Sequence, residues 1–262
     1  MFSARRARGF QWDGQPQGRI AKLGPYDAYV ADADANANDD NGSHHHAALL
    51  LIPDVFGWTA RNTRLLADHY ARETGATVYL VDLFRGHPLD RAAAPALSDD
   101  EFLAQNLPPF LARRAGRTTA TVVMVVAVLL PDGGRRTPKW ASSGTPAGPG
   151  STGTSATAVV AGPLVDAAAV ACPSLATARD VDEVAVPLLV LAPEYDDAYT
   201  PTLKQHTFTT LTANGVALEY LHFPEVAHGA LLRGDPGIPG ERAAMVRAMD
   251  AAVGFFRFYL NK

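Results

Sequence analysis

The sequence has a single cysteine, Cys172, in 262 residues. That excludes an internal disulfide and any metal centre built from several thiolates, and it fits a reducing compartment. No apolar run approaches the roughly 18 residues that span a bilayer, so no membrane span or membrane partner is expected. Neither sign of charge dominates: 23 Lys and Arg stand against 27 Asp and Glu, a formal net charge of −4. Without a basic face, nucleic acid is not an expected partner. There is no glycine-rich phosphate loop and no set of His, Asp and Glu at metal-ligand spacing, so neither a cofactor nor a metal is expected. His44, His45 and His46 read as a solvated run, since no second ligand cluster accompanies them.

What is present is a globular balance, with 47% apolar and 19% charged residues. A chain of this length buries a substantial core without covalent staples. We expect one α/β domain over residues 1–262, with residues 1–13 as a flexible terminus. The first ten residues carry Arg5, Arg6 and Arg8 and no acid. That is the pattern of a frayed basic end or of the start of a mitochondrial presequence. The cytoplasm is the expected location and the mitochondrion the alternative.

Residues 26–31 alternate weakly, as an early strand does, and residues 32–46 form a polar, low-complexity loop. Residues 47–52 are a continuous apolar run, the signature of a strand buried on both faces. Pro53-Asp54-Val55-Phe56-Gly57 breaks that run. Residues 62–73 then place Leu65, Leu66, His69 and Tyr70 at helical spacing, with Gly75 as a stop, and residues 77–83 form a second buried strand. Strand, helix, strand at this spacing implies a parallel pair with a right-handed crossover. The pattern recurs downstream: strands at 167–172, 188–192 and 218–223, a helix at 201–214 before Gly215, and a terminal helix at 242–260. Met245, Met249, Val253 and Phe256 form one stripe of that last helix. Such alternation defines a doubly wound, mostly parallel sheet with helices on both faces. Residues 122–130 are apolar without a decisive period, and residues 131–162 are an irregular, divergent segment rich in Pro, Gly, Ser, Thr and Ala.

Ligands of open α/β sheets bind outside the carboxyl ends of the strands. Three strand-end loops carry useful groups. The turn at 53–57 can aim backbone N–H groups at a developing negative charge, or it can simply be a tight turn. Pro193-Glu194-Tyr195-Asp196-Asp197 offers an acid that can orient a histidine, or an Asx turn or helix cap before Pro201. Glu225-Val226-Ala227-His228-Gly229 offers a histidine able to act as a general base near neutral pH. Acid then base, one helix and one strand apart, is the chain order of α/β-hydrolases.

The combined motifs resemble the dienelactone hydrolase family. They include Leu50-Leu51-Ile52-Pro53-Asp54-Val55-Phe56-Gly57, Val78-Tyr79-Leu80-Val81-Asp82-Leu83-Phe84, Cys172-Pro173-Ser174, Asp196-Asp197-Ala198-Tyr199, and Ala227-His228-Gly229 through Arg233-Gly234-Asp235. The resemblance implies an α/β-hydrolase fold and hydrolysis of a small ester or lactone, the partner being a small-molecule ester, lactone or carboxylate. It implies Asp197 as the acid, with Asp196 as the fallback one residue away, and His228 as the base. It also implies Val55 and Ala147 N–H groups as oxyanion donors, Asp54 beside the nucleophile, and Arg85 and Arg233 on a substrate carboxylate. For the two arginines, an ordinary surface ion pair is the competing reading.

The family's nucleophile motif, Gly-x-Cys-x-Gly, does not occur. Flanking motifs put Gly144-Thr145-Pro146-Ala147-Gly148 in its place, so Pro146 stands at the nucleophile position. Proline has no nucleophilic atom and a fixed φ near −65° that suits an elbow poorly. Cys172 reads as a small core residue ending a strand. Ser151, in Pro149-Gly150-Ser151-Thr152-Gly153, is the weak candidate, with Ser142 and Ser143 behind it. The composition of this stretch also fits a GC-rich gene translated in a shifted frame. Genomic sequence across codons 113 to 165 tests that: a neighbouring frame lacking Gly-x-Cys-x-Gly refutes it. Three functions stay open: a hydrolase, a non-catalytic relative that binds a small acidic ligand or a protein partner, and a lyase or cyclase using His228 and Asp197 as acid and base.

Overall fold

A computed structural model of the chain describes residues 11–33, 48–94, 96–97, 99–112, 124–129, 165–174 and 176–261. The terminus at 1–10, most of the polar loop at 32–46 and the segment at 131–162, with Pro146, Ala147 and Ser151, lie outside the described residues.

Among the described residues, eight strands form one sheet: β1 Arg19–Leu23, β2 Tyr26–Ala31, β3 Ala48–Ile52, β4 Thr77–Val81, β5 Met124–Leu129, β6 Ala167–Ala171, β7 Leu188–Tyr195 and β8 Leu218–Ala227. Their order across the sheet is β1-β2-β4-β3-β5-β6-β7-β8. β3 and β4 pair in parallel, as do β6, β7 and β8, in agreement with the expected crossovers. β2 is antiparallel to both its neighbours, and so is β5.

The direction of β5 is the departure from the expected pattern. Met124 pairs with Ala171 and Val125 with Ile52, so the amino end of β5 lies at the carboxyl ends of β3 and β6. Its own carboxyl end, Leu129, pairs with Ala48 at the opposite margin. A nucleophile elbow needs the carboxyl end of its strand at the site. β5 does not deliver the chain there.

Six α-helices are described: α1 Arg61–Thr74, α2 Asp99–Ala112, α3 Ala178–Asp182, α4 Pro201–Ala213, α5 Ala230–Arg233 and α6 Pro239–Leu260. Helix α1 stops where expected. Gly75 takes a left-handed φ of 74° and its N–H donates to the Ala71 carbonyl at 2.9 Å. Helix α4 begins at Pro201, with the Thr200 hydroxyl accepting from Leu203 N–H at 3.3 Å. Helix α6 starts earlier than the apolar stripe alone suggests, because Pro239 and Gly240 precede the stripe but suit a first turn.

The main core lies between the sheet and helices α1 and α6. The α6 stripe is buried at Met245, Val253 and Phe256, with Met249 packed at its margin. Phe256 meets Tyr70 of α1 edge-to-face, centroids 5.5 Å apart at 83°, which locks the two helices over the sheet. A second cluster, including Val181, Leu188, Val190 and Leu211, covers the other face under α3 and α4. Burial on both faces explains why β7 reads as an unbroken apolar run.

Candidate active site

The site forms at the carboxyl ends of β6, β7 and β8. β7 is longer than its apolar run, extending through Pro193-Glu194-Tyr195, and β8 continues to Ala227. The register shifts between Pro193, opposite Phe223, and Tyr195, opposite Ala227, so β8 bulges there. Glu225 takes a φ of 61° in the bulge, and its N–H is held by the Glu194 carboxylate at 2.7 Å. His228 N–H then donates to the Tyr195 carbonyl at 2.8 Å. The histidine loop is therefore tied to the residue just before Asp196.

Asp196, not Asp197, faces the histidine. Its Oδ1 lies 2.9 Å from His228 Nδ1 and also accepts N–H groups from Ala198 at 3.0 Å and Tyr199 at 2.9 Å. This corrects the expected acid by one position, and the reason is local. The first residue past β7 turns its carboxylate into an Asx turn and is buried, while Asp197 is exposed. The turn expected as a competing reading is thus present and serves the same carboxylate. Burial by itself would raise the pKa of Asp196. The hydrogen bond and charge of His228, with the two backbone N–H groups, outweigh it and hold the carboxyl below the usual range. Asp196 Oδ2 is buried with no hydrogen-bond partner among the described residues.

The other ring nitrogen, His228 Nε2, lies 3.3 Å from Ser174 Oγ. With Nδ1–H donating to Asp196, Nε2 is the acceptor and the Ser174 hydroxyl the donor. Sequence reasoning gave Ser174 no role, although Cys172-Pro173-Ser174 was among the family motifs. The missed signal was chain order: Ser174, Asp196 and His228 follow three successive parallel strands.

Cys172 is buried, as its core reading implied, but it is not ordinary core. It leaves β6 with a left-handed φ of 52°, and Gly229 N–H donates to its Sγ at 3.4 Å. Donor atoms of Cys172, Asp196 and His228 lie within 4.8 Å of one another. A metal would need a thiolate there, yet burial pushes the Cys172 thiol up to about 12. Asp196 Oδ1 and His228 Nδ1 are also spent on each other. The trio fits a proton-transfer site better than a metal cage.

Arg233 ends α5 and folds back over the histidine loop. A Cβ on Gly229 would stand 2.9 Å from Arg233 Nη2, so the left-handed glycine (φ 79°) makes room for the guanidinium. Arg233 Nε is 3.5 Å from Asp54 Oδ2, at ion-pair distance but without hydrogen-bond geometry, and its guanidinium lies 4.4 Å from the centre of the Phe56 ring. Nε and Nη1 are buried with no hydrogen-bond partner among the described residues.

Asp54 closes the turn after β3. Its Oδ1 accepts Phe56 N–H at 3.0 Å, and its carbonyl accepts Gly57 N–H at 2.9 Å. Val55 is buried in that turn. Asp54, Val55 and Arg233 thus cluster near His228. Arg85 does not join them: it is exposed after β4, with its guanidinium 5.6 Å from the centre of the Tyr26 ring.

The fold is that of the α/β-hydrolases, with acid and histidine on the loops after β7 and β8. The chain belongs to the dienelactone hydrolase family, whose family model matches residues 33–260. It is similar to the hydrolase pyvD of Aspergillus violaceofuscus, 25% identical over 256 residues that cover 95% of this chain and 94% of that protein. Among solved structures it resembles m3DLH, with a TM-score of 0.58 at 14% identity, covering 94% of this chain and 99% of that one. It also resembles a dienelactone hydrolase-like promiscuous phosphotriesterase from metagenomic libraries, with a TM-score of 0.54 at 13% identity and the same coverage. Among the described residues, no helix is long and apolar enough to cross a membrane.

Proposed function

We propose that the chain hydrolyses a small ester or lactone bearing a carboxylate. The Asp196–His228 pair, with Asp196 buried, carries the reading. His228 takes a proton from the attacking group and returns it to the leaving oxygen, while Asp196 fixes the ring tautomer and stabilises the imidazolium. Arg233 supports the carboxylate preference, because a guanidinium with buried nitrogens that lack hydrogen-bond partners among the described residues favours an anion beside it. Val55 N–H is the proposed oxyanion donor on the β3 turn.

Turnover of p-nitrophenyl acetate and of a carboxylate-bearing lactone by the purified protein tests this. The expected rate for wild type exceeds that of His228→Ala by at least about a thousandfold. Equal rates for the two proteins sink the proposal. The absent Gly-x-Cys-x-Gly motif favours a second reading, a non-catalytic relative that binds a small carboxylate. Thermal stabilisation by a dicarboxylate without turnover would support it.

A further inference from the structure

We infer that Ser174 is the nucleophile of this site, forming with His228 and Asp196 a triad built outside the elbow position. The inference rests on the hydrolase reading above and deepens it. The argument starts from what a serine needs. Its hydroxyl is a weak nucleophile until a base within hydrogen-bond reach takes its proton and a third group orients that base. Ser174 Oγ has the base at 3.3 Å, and the base has its orienting carboxylate at 2.9 Å on the opposite ring nitrogen. A contact at the long end of the range is usual before substrate tightens the site.

Position supports the same assignment. Ser174 stands three residues past β6, on the loop leaving the strand's carboxyl end, next to β7 in the sheet. The order Ser174, Asp196, His228 is nucleophile, acid, base, the chain order of α/β-hydrolases. The Cys172 carbonyl, 3.4 Å from Ser174 Oγ, is a second acceptor for the same single proton, so the transfer runs through the rotamer that aims the hydroxyl at His228 Nε2. The left-handed φ of Cys172 turns the chain at this point, as a strained residue at a strand end does where a site aims a side chain. Cys172 itself is the poorer nucleophile, since its Sγ already accepts the Gly229 N–H and burial opposes the thiolate.

The reaction balances without any further reagent. His228 Nε2 takes the Ser174 proton as Oγ bonds to the substrate carbonyl carbon. The carbon–oxygen bond to the leaving group then breaks, and the leaving oxygen takes the proton from Nε2. For a lactone, that oxygen stays tethered to the acyl chain. In the second half, His228 takes a proton from water, the hydroxide attacks the acyl carbon, and the bond to Oγ breaks. Ser174 recovers its proton from His228. The net change is ester plus water to acid plus alcohol.

The test uses the wild-type chain, so it does not depend on a variant that folds. Protein is incubated with diisopropyl fluorophosphate, the adduct is counted by intact mass, and its position is read by peptide mapping. Ester turnover is measured on the same sample. The expected result is one adduct per chain on Ser174, and turnover lost in proportion to labelling. Ser174→Ala should lower kcat by about a thousandfold or more with KM within about threefold, and Ser174→Cys should make that position react with iodoacetamide, which the wild-type serine does not. Turnover with the adduct elsewhere, or turnover without an adduct, overturns the assignment and leaves the hydrolase reading standing. An adduct on Ser174 without turnover supports the assignment and removes the hydrolase reading. Neither adduct nor turnover overturns both.

Discussion

Three strands of this sheet end in an aspartate that makes the same local turn, and the three residues differ in everything beyond it. Asp54 after β3, Asp82 after β4 and Asp196 after β7 each accept, through Oδ1, the N–H of the residue two positions on, at 3.0 Å. In Asp82 the second oxygen takes another backbone group, Gly86 N–H at 2.6 Å, so the carboxylate serves its own loop. In Asp54 the second oxygen faces Arg233. In Asp196, Oδ1 also takes the histidine ring. An acid at a strand end is therefore a generic turn former. What makes it functional is the side chain brought to it from another element, 32 residues away for His228.

Substitutions can break that comparison. The largest expected effect is at Asp196. Asp196→Asn should lower kcat by about a thousandfold to ten-thousandfold, because the amide favours the wrong ring tautomer. Asp197→Asn should leave kcat within about twofold, and steady-state kinetics on the two variants separate the neighbours. Next comes Arg233→Met, which should raise KM for a carboxylate-bearing ester tenfold to a hundredfold with little change for p-nitrophenyl acetate. Asp82→Ala should cost about 1–3 kcal/mol in urea denaturation, from the loss of two N–H partners at a buried site, with kcat nearly unchanged.

The smallest effect is on the pH dependence of stability. Asp196 is held below its ordinary range in the folded chain, so its contribution is complete above the unfolded value of about 3.9 and is lost as pH falls through the lower folded value. Urea midpoints should therefore fall less steeply below pH 4 in Asp196→Asn than in wild type. An identical slope would show that Asp196, through neither its histidine contact nor its turn, makes stability depend on pH in this range.

Most of the fold was legible because its signals are local. The buried runs of β3, β4, β6 and β7 have no period to misread, and Gly75 and Pro201 mark helix ends by backbone geometry alone. The site was legible only in part. His228 stood out as a loop histidine, but the choice between Asp196 and Asp197 depends on which carboxylate the end of β7 turns inward, and two adjacent acids carry no local mark of that. Ser174 was hidden because its contact with His228 joins residues 54 positions apart. Arg85 and Arg233 looked alike as strand-end or loop arginines, and packing over Tyr26 or over Gly229 separates them. The direction of β5 was illegible in principle, since an apolar run reads the same from either end.

The three groups of the proposed triad lie within one stretch, from residue 174 to residue 228, on loops that follow neighbouring strands. Such a stretch is inherited as a cassette. Insertions or rewriting in the chain between β5 and β6 leave that stretch intact, because no member of the proposed triad is encoded there. With the proposed triad, a chain without the elbow motif still has a hydroxyl beside its acid and base.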